Sequence, residues 1–111
     1  MGDIIEFASN GGTAQGYLAT PADGGTGPGV VVIQEWWGLV PHIKHVADRL
    51  AREGFVALAP DLYHGQTVAE PDEAAKLAMT LNMEQAVKDM SGAVDETLRR
   101  SSTDRVGVVG F

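Results

Sequence analysis

The sequence predicts an α/β domain in which a mostly parallel sheet follows an opening pair of antiparallel strands. Three observations carry this. Gly29 to Ile33 is an unbroken run dominated by β-branched residues, the mark of a strand covered on both faces. Pro41 to Glu53 repeats its apolar residues with helical period, and Phe55 to Ala59 is a second short apolar run. A strand, a helix and a strand within about 30 residues make a crossover unit, with parallel strands and a right-handed connection.

Taken in order, Asp3 to Phe7 and Thr13 to Ala19 form two strands around Ser9-Asn10-Gly11-Gly12, whose glycines supply the positive φ of a tight hairpin. Pro21 to Gly29 is a flexible connection; its glycines match no phosphate-binding loop. In the first helix, Ile43, Val46, Ala47, Leu50 and Ala51 share one face. Pro41 suits its first turn and Gly54 stops it in a left-handed cap. Pro71 to Leu81 predicts a short helix. Asn82 then caps a longer one, with Gln85 completing a capping box. Met83, Val87, Met90, Val94 and Leu98 are expected to be its buried stripe, with Glu84 and Lys88 paired on the wet face. Arg105 to Phe111 predicts a third buried strand. Such a strand would need a helix over its outer side, so residues 1–111 read as the N-terminal half of one longer domain.

Composition narrows the function. A formal charge of −7 opposes binding to nucleic acid or to anionic membrane surfaces. No cysteine is present, which excludes a thiolate metal site or a cysteine nucleophile within these residues. Met1-Gly2-Asp3 opens no secretory signal, and Glu6 stands where a myristoylation motif requires Ser or Thr. A cytoplasmic protein acting on a small molecule, without a cofactor, is the expectation; the oligomeric state is left open. In open α/β sheets the ligand crevice lies beyond the carboxyl ends of the strands. Glu35, Trp36 and Trp37 leave the first parallel strand at that end, and Pro60-Asp61-Leu62-Tyr63-His64 leaves the second.

Gln34-Glu35-Trp36-Trp37-Gly38-Leu39 with Pro41-His42-Ile43-Lys44, Arg52 to Tyr63, and the terminal Val106 to Phe111 together resemble the dienelactone hydrolase family of α/β-hydrolases. The resemblance covers essentially the whole chain. It implies a partial α/β-hydrolase sheet that stops just before the nucleophile elbow. The implied activity is hydrolysis of small esters or lactones, of the carboxymethylenebutenolidase type, through a Cys-Asp-His triad beyond Phe111. It also implies that Glu35 hydrogen-bonds the nucleophile thiol and helps form the thiolate, while the Trp36 backbone N–H is one oxyanion donor. Trp37 and Tyr63 match positions lining the substrate cleft. One departure concerns specificity. Family members carry an arginine after Pro-Asp-Leu-Tyr that grips a substrate carboxylate, whereas Val68 to Lys76 contains none. Lys76 is the cation there, a point charge without a bidentate fork.

Plainer readings stand beside these. Glu35 could cap the following helix, and Trp37 could be a packing aromatic. His42 and His45 are expected on the surface, since no further ligand converges with them. His64 is in the right loop for a base, but the family takes its histidine from near the C-terminus; Asp61 is expected to form a turn. Met79, Met83 and Met90 are expected to fill the core. The rival from another class is a small non-catalytic α/β binding module, its last strand covered by a partner.

Overall fold

The computed structural model describes residues 2–9, 11–22, 25–34, 39–64, 73 and 83–110. Along the chain run β1 (Asp3–Ala8), β2 (Thr13–Ala19), β3 (Gly29–Ile33), α1 (Pro41–Arg52), β4 (Val56–Pro60), α2 (Met83–Arg100) and β5 (Val106–Gly110). They form one sheet in the order β1-β2-β4-β3-β5. The β1–β2 and β2–β4 pairs are antiparallel; β3 pairs in parallel with both β4 and β5. The expected mixture of an antiparallel start and a parallel body is therefore present. The short helix expected over Pro71 to Leu81 lies outside the described residues apart from Glu73, which is helical.

Side chains on a strand alternate between faces, so each inner strand supplies two cores. Val32, Ala57 and Ala59 pack with Tyr17 and Ala19 against Ile43, Ala47 and Ala51 of α1. Val31, Val56 and Leu58 pack with Phe7, Ala14 and Leu18 against Ala93 of α2. The helices thus cover opposite faces, giving three layers. A polar clamp adds to the first core: the Tyr17 hydroxyl donates to Asp48 Oδ1 at 2.7 Å and accepts from the Gly2 N–H at 2.9 Å. Among the described residues, no helix is long and apolar enough to cross a membrane.

The local punctuation is where the residues required it. Ser9 and Gly12 exchange backbone hydrogen bonds of 3.0 and 3.1 Å across the hairpin turn, with Gly11 at φ 103°. At the end of α1, the Gly54 N–H bonds the Ala51 carbonyl and the Phe55 N–H bonds the Leu50 carbonyl, while Gly54 holds φ 98°. That pair of bonds is a Schellman ending, which a side chain at Gly54 would strain. Gly54→Ala is expected to cost about 1–2 kcal/mol of stability, as measured by urea unfolding.

Helix α2 departs from expectation. Its buried residues are Ala86, Asp89, Gly92, Ala93, Glu96 and Thr97, whereas Val87 is 54% exposed. Met90, Val94 and Leu98 are only half-buried, and the Met83 side chain lies outside the described residues. Val87, Met90 and Val94 of the expected stripe instead line an open groove with Ser91 and Asp95. The reason is close approach. A Cβ on Gly92 would lie 2.2 Å from the Ala8 carbonyl oxygen, so the helix packs on its small residues. Its ion pairs also differ from expectation. Glu84 and Lys88 do not pair; Arg99 and Arg100 both bind Glu96. The Asn82 half of the expected capping box is outside the described residues.

Burial works against the charged form of Glu96, but hydrogen bonds from Arg100 and Arg99 outweigh it and hold this carboxyl below its usual range. A carboxyl depressed in the folded chain contributes stability that is full above its unfolded value and lost as pH falls through the folded one. Glu96→Gln is expected to lower stability near neutral pH by less than about 1 kcal/mol, because both arginines are largely solvated. The deficit should vanish in strong acid, a comparison that urea unfolding at the two pH values makes directly.

Strand β5 was expected to be buried and is an exposed edge. Val108 is 60% and Val109 39% exposed, with Val106 alone half-buried against the second core. Among the described residues, β5 stands at the end of the strand order, paired with β3 alone.

Candidate active site

Parallel pairing brings the carboxyl ends of β3 and β4 to one end of the sheet, and side-chain bonds fasten the loops that leave them. Gln34, the first residue past β3, is buried, and its Oε1 accepts the Leu62 N–H at 2.9 Å. A buried amide that satisfies a loop N–H holds the two strand ends in one arrangement. The Asp61 N–H bonds the Gln15 carbonyl at 2.8 Å, and Asp61 Oδ1 accepts the Tyr63 N–H at 3.2 Å. Asp61 is therefore the turn-former its position predicted.

Of the predicted site residues, Tyr63 is described. It is 6% exposed, and burial pushes its phenol above the ordinary value, so it is a neutral hydroxyl at physiological pH. Glu35, Trp36 and Trp37 lie outside the described residues, as does Lys76. The chain enters their segment from buried Gln34 and leaves it at buried Leu39, which packs in the α1 core. His42 and His45 are exposed on α1 as expected.

His64 turns away from the β3–β5 side. Its Nε2 lies 2.9 Å from Asp89 Oδ2 of α2. The contact is close but not aligned as a hydrogen bond. Asp89 Oδ1 accepts from Ser9 Oγ at 2.7 Å and from Gln85 Nε2 at 2.8 Å. Ser9 follows β1 at the sheet edge opposite β5, so His64 belongs to a polar cluster on that flank. A polar hollow of ≈ 300 Å³ lies beside it, lined by Glu6, Thr13, Gln15, Asp61 and His64 among others.

Sequence reasoning assigned no role to Gln34 and missed the Ser9–Gln85–Asp89 cluster. Gln34 was within reach, since it stands beside Glu35 at the end of an apolar strand. For Asp89 the available signal was the run Ala86, Asp89, Ala93 on one helix face; nothing in the sequence joins it to Ser9, 80 positions away.

Comparison with known proteins places this arrangement. The chain is 44% identical to Protein usf of Aquifex pyrophilus, along the whole chain and 51% of that protein. It is 40% identical, again along the whole chain and 51% of the relative, to a protein of Aquifex aeolicus (strain VF5) provisionally named a carboxymethylenebutenolidase. A crystal structure of a provisionally named dienelactone hydrolase from Klebsiella pneumoniae subsp. pneumoniae MGH 78578 superposes on the whole chain with a TM-score of 0.85 at 28% identity. The match covers 49% of that structure's chain. The chain thus spans about half the length of the curated relatives it matches, and the sheet is a partial α/β-hydrolase fold. The model of the dienelactone hydrolase family matches residues 14–111, and the chain belongs to that family.

Proposed function

We propose that the full-length protein hydrolyses small esters or lactones through a covalent acyl-enzyme. The observation that carries this reading is the β3–β5 register, in which Ile33 pairs with Gly110. Two positions further in the sequence from this pair stand Glu35 and the residue after Phe111. That residue is where the family resemblance puts the nucleophilic cysteine. Family membership and the carboxymethylenebutenolidase name of the Aquifex aeolicus relative support the same class.

In this reading the thiolate adds to the ester carbonyl carbon, and the C–O bond then breaks as the alcohol leaves with a proton. Water cleaves the resulting thioester and restores the thiol. Glu35 accepts a hydrogen bond from the thiol and favours its ionisation. The Trp36 backbone N–H donates to the oxyanion, a contribution of about 3 kcal/mol for such a donor. Trp37 and Tyr63 form walls of the acyl site, the latter held by the Gln34–Leu62 bond. With no arginine in Val68 to Lys76, the substrate is a small ester or lactone that needs no bidentate carboxylate grip. The Cys, Asp and His of the triad belong to the other half of the domain.

The full-length protein is expected to hydrolyse p-nitrophenyl acetate and to lose that activity on alkylation with iodoacetamide. Absence of hydrolysis, or hydrolysis indifferent to alkylation, would overturn the thiol mechanism.

A further inference from the structure

We infer that His64 and Asp89 form a clasp that sets the position of the Tyr63 loop, making His64 a positioning residue for the substrate wall. The inference rests on the proposed placement of Tyr63 in the acyl site.

His64 holds φ 52°, the sole non-glycine residue with positive φ among those described. That backbone state is disfavoured for a residue with a Cβ and persists only where surroundings impose it. Here they do. Three bonds fix the loop up to Tyr63: Asp61 to Gln15, Leu62 to Gln34 and Tyr63 to Asp61. At His64 itself the N–H bonds the Asp61 carbonyl at 3.4 Å, and the ring is drawn onto Asp89. The Asp89 side chain is 1% exposed, against 51% for His64. Its Oδ1 is satisfied by Ser9 and Gln85, while Oδ2 has no aligned donor and faces the His64 ring. A buried carboxylate draws a donor or cation strongly, because an unmatched oxygen is costly away from water. Asp89 stands on a closely seated helix, since Gly92, one turn on, places α2 directly on the Ala8 carbonyl. The loop is thus spanned between β3 on one side and an anchored helix on the other, with Tyr63 in the middle.

Two variants of the full-length protein separate the parts. His64→Gly keeps the left-handed backbone without strain and removes the ring. Asp89→Asn keeps an acceptor for Ser9 and Gln85 but removes the charge. Both are expected to speed amide hydrogen exchange at Leu62 and Tyr63 by about tenfold relative to the α1 core. Both are also expected to raise KM for p-nitrophenyl butyrate about three- to tenfold, with kcat within about twofold, as loss of uniform binding requires. Unchanged exchange in His64→Gly would overturn the clasp, and that variant decides the matter if Asp89→Asn fails to fold. Faster exchange with unchanged KM, or a fall in kcat alone, would overturn the positioning role. A wild-type protein without esterase activity would instead sink the hydrolase reading, and the exchange data would still test the clasp.

Discussion

Glu35→Ala in the full-length protein is expected to lower kcat/KM for p-nitrophenyl acetate at least about a hundredfold, the lower end for a positioned acid–base group. A hundredfold loss corresponds to about 2.7 kcal/mol of transition-state stabilisation. The effect is assigned to the nucleophile's activation. Without the carboxylate, the thiol keeps a pKa nearer its free value and a smaller fraction is thiolate at neutral pH. The deficit should therefore shrink as pH is raised toward the ordinary thiol range, where the variant ionises unaided. The fold should not suffer: Glu35 leaves the strand after Gln34, whose amide makes the structural bond to Leu62. A variant with wild-type activity, or one whose deficit is independent of pH, would remove Glu35 from the mechanism.

Leu58→Ala is expected to produce the largest loss of stability, about 3 kcal/mol by urea unfolding with the slope unchanged. Leu58 has no exposed surface and lies on β4, the middle strand of the sheet. It pairs across to Leu18 and Val31 and joins the core with Phe7, Val56 and Ala93. Truncation leaves a cavity that main-chain bonds to two neighbouring strands and the close seating of α2 prevent from collapsing. Because β4 also carries the Tyr63 loop, the variant's loss should appear in heat inactivation before it appears in kcat. A loss below about 1 kcal/mol would mean that β4 is not the packing centre.

Why some of this was legible and some not follows from the kind of signal involved. Gly54, the Ser9–Gly12 turn and the Gly29 to Ile33 run are local. Each residue's own backbone preference fixes the outcome, and each was placed within a residue of where it lies. Helix α2 misled because periodicity weighs large apolar residues. Its contact with the sheet is instead set by Gly92 and by a carboxylate whose partners outside the helix come from the turn after β1 and from the β4 loop. For strand β5, β-branched composition reports strand propensity, while burial depends on what packs outside it, and the chain spans about half the length of its relatives. The site was legible as far as the strand ends, since parallel strands put their carboxyl termini together. The fastening of those ends by Gln34 and by His64 with Asp89 depends on residues distant in sequence, and no spacing rule reports them.

The most direct test is a crystal structure of the full-length protein with an unmodified nucleophile. The account predicts a Glu35 carboxylate oxygen within about 3.5 Å of the side chain that follows Phe111, the reach of a hydrogen bond to sulfur or oxygen. A Glu35 side chain turned into bulk solvent, with that neighbour contacted by some other group, would contradict it.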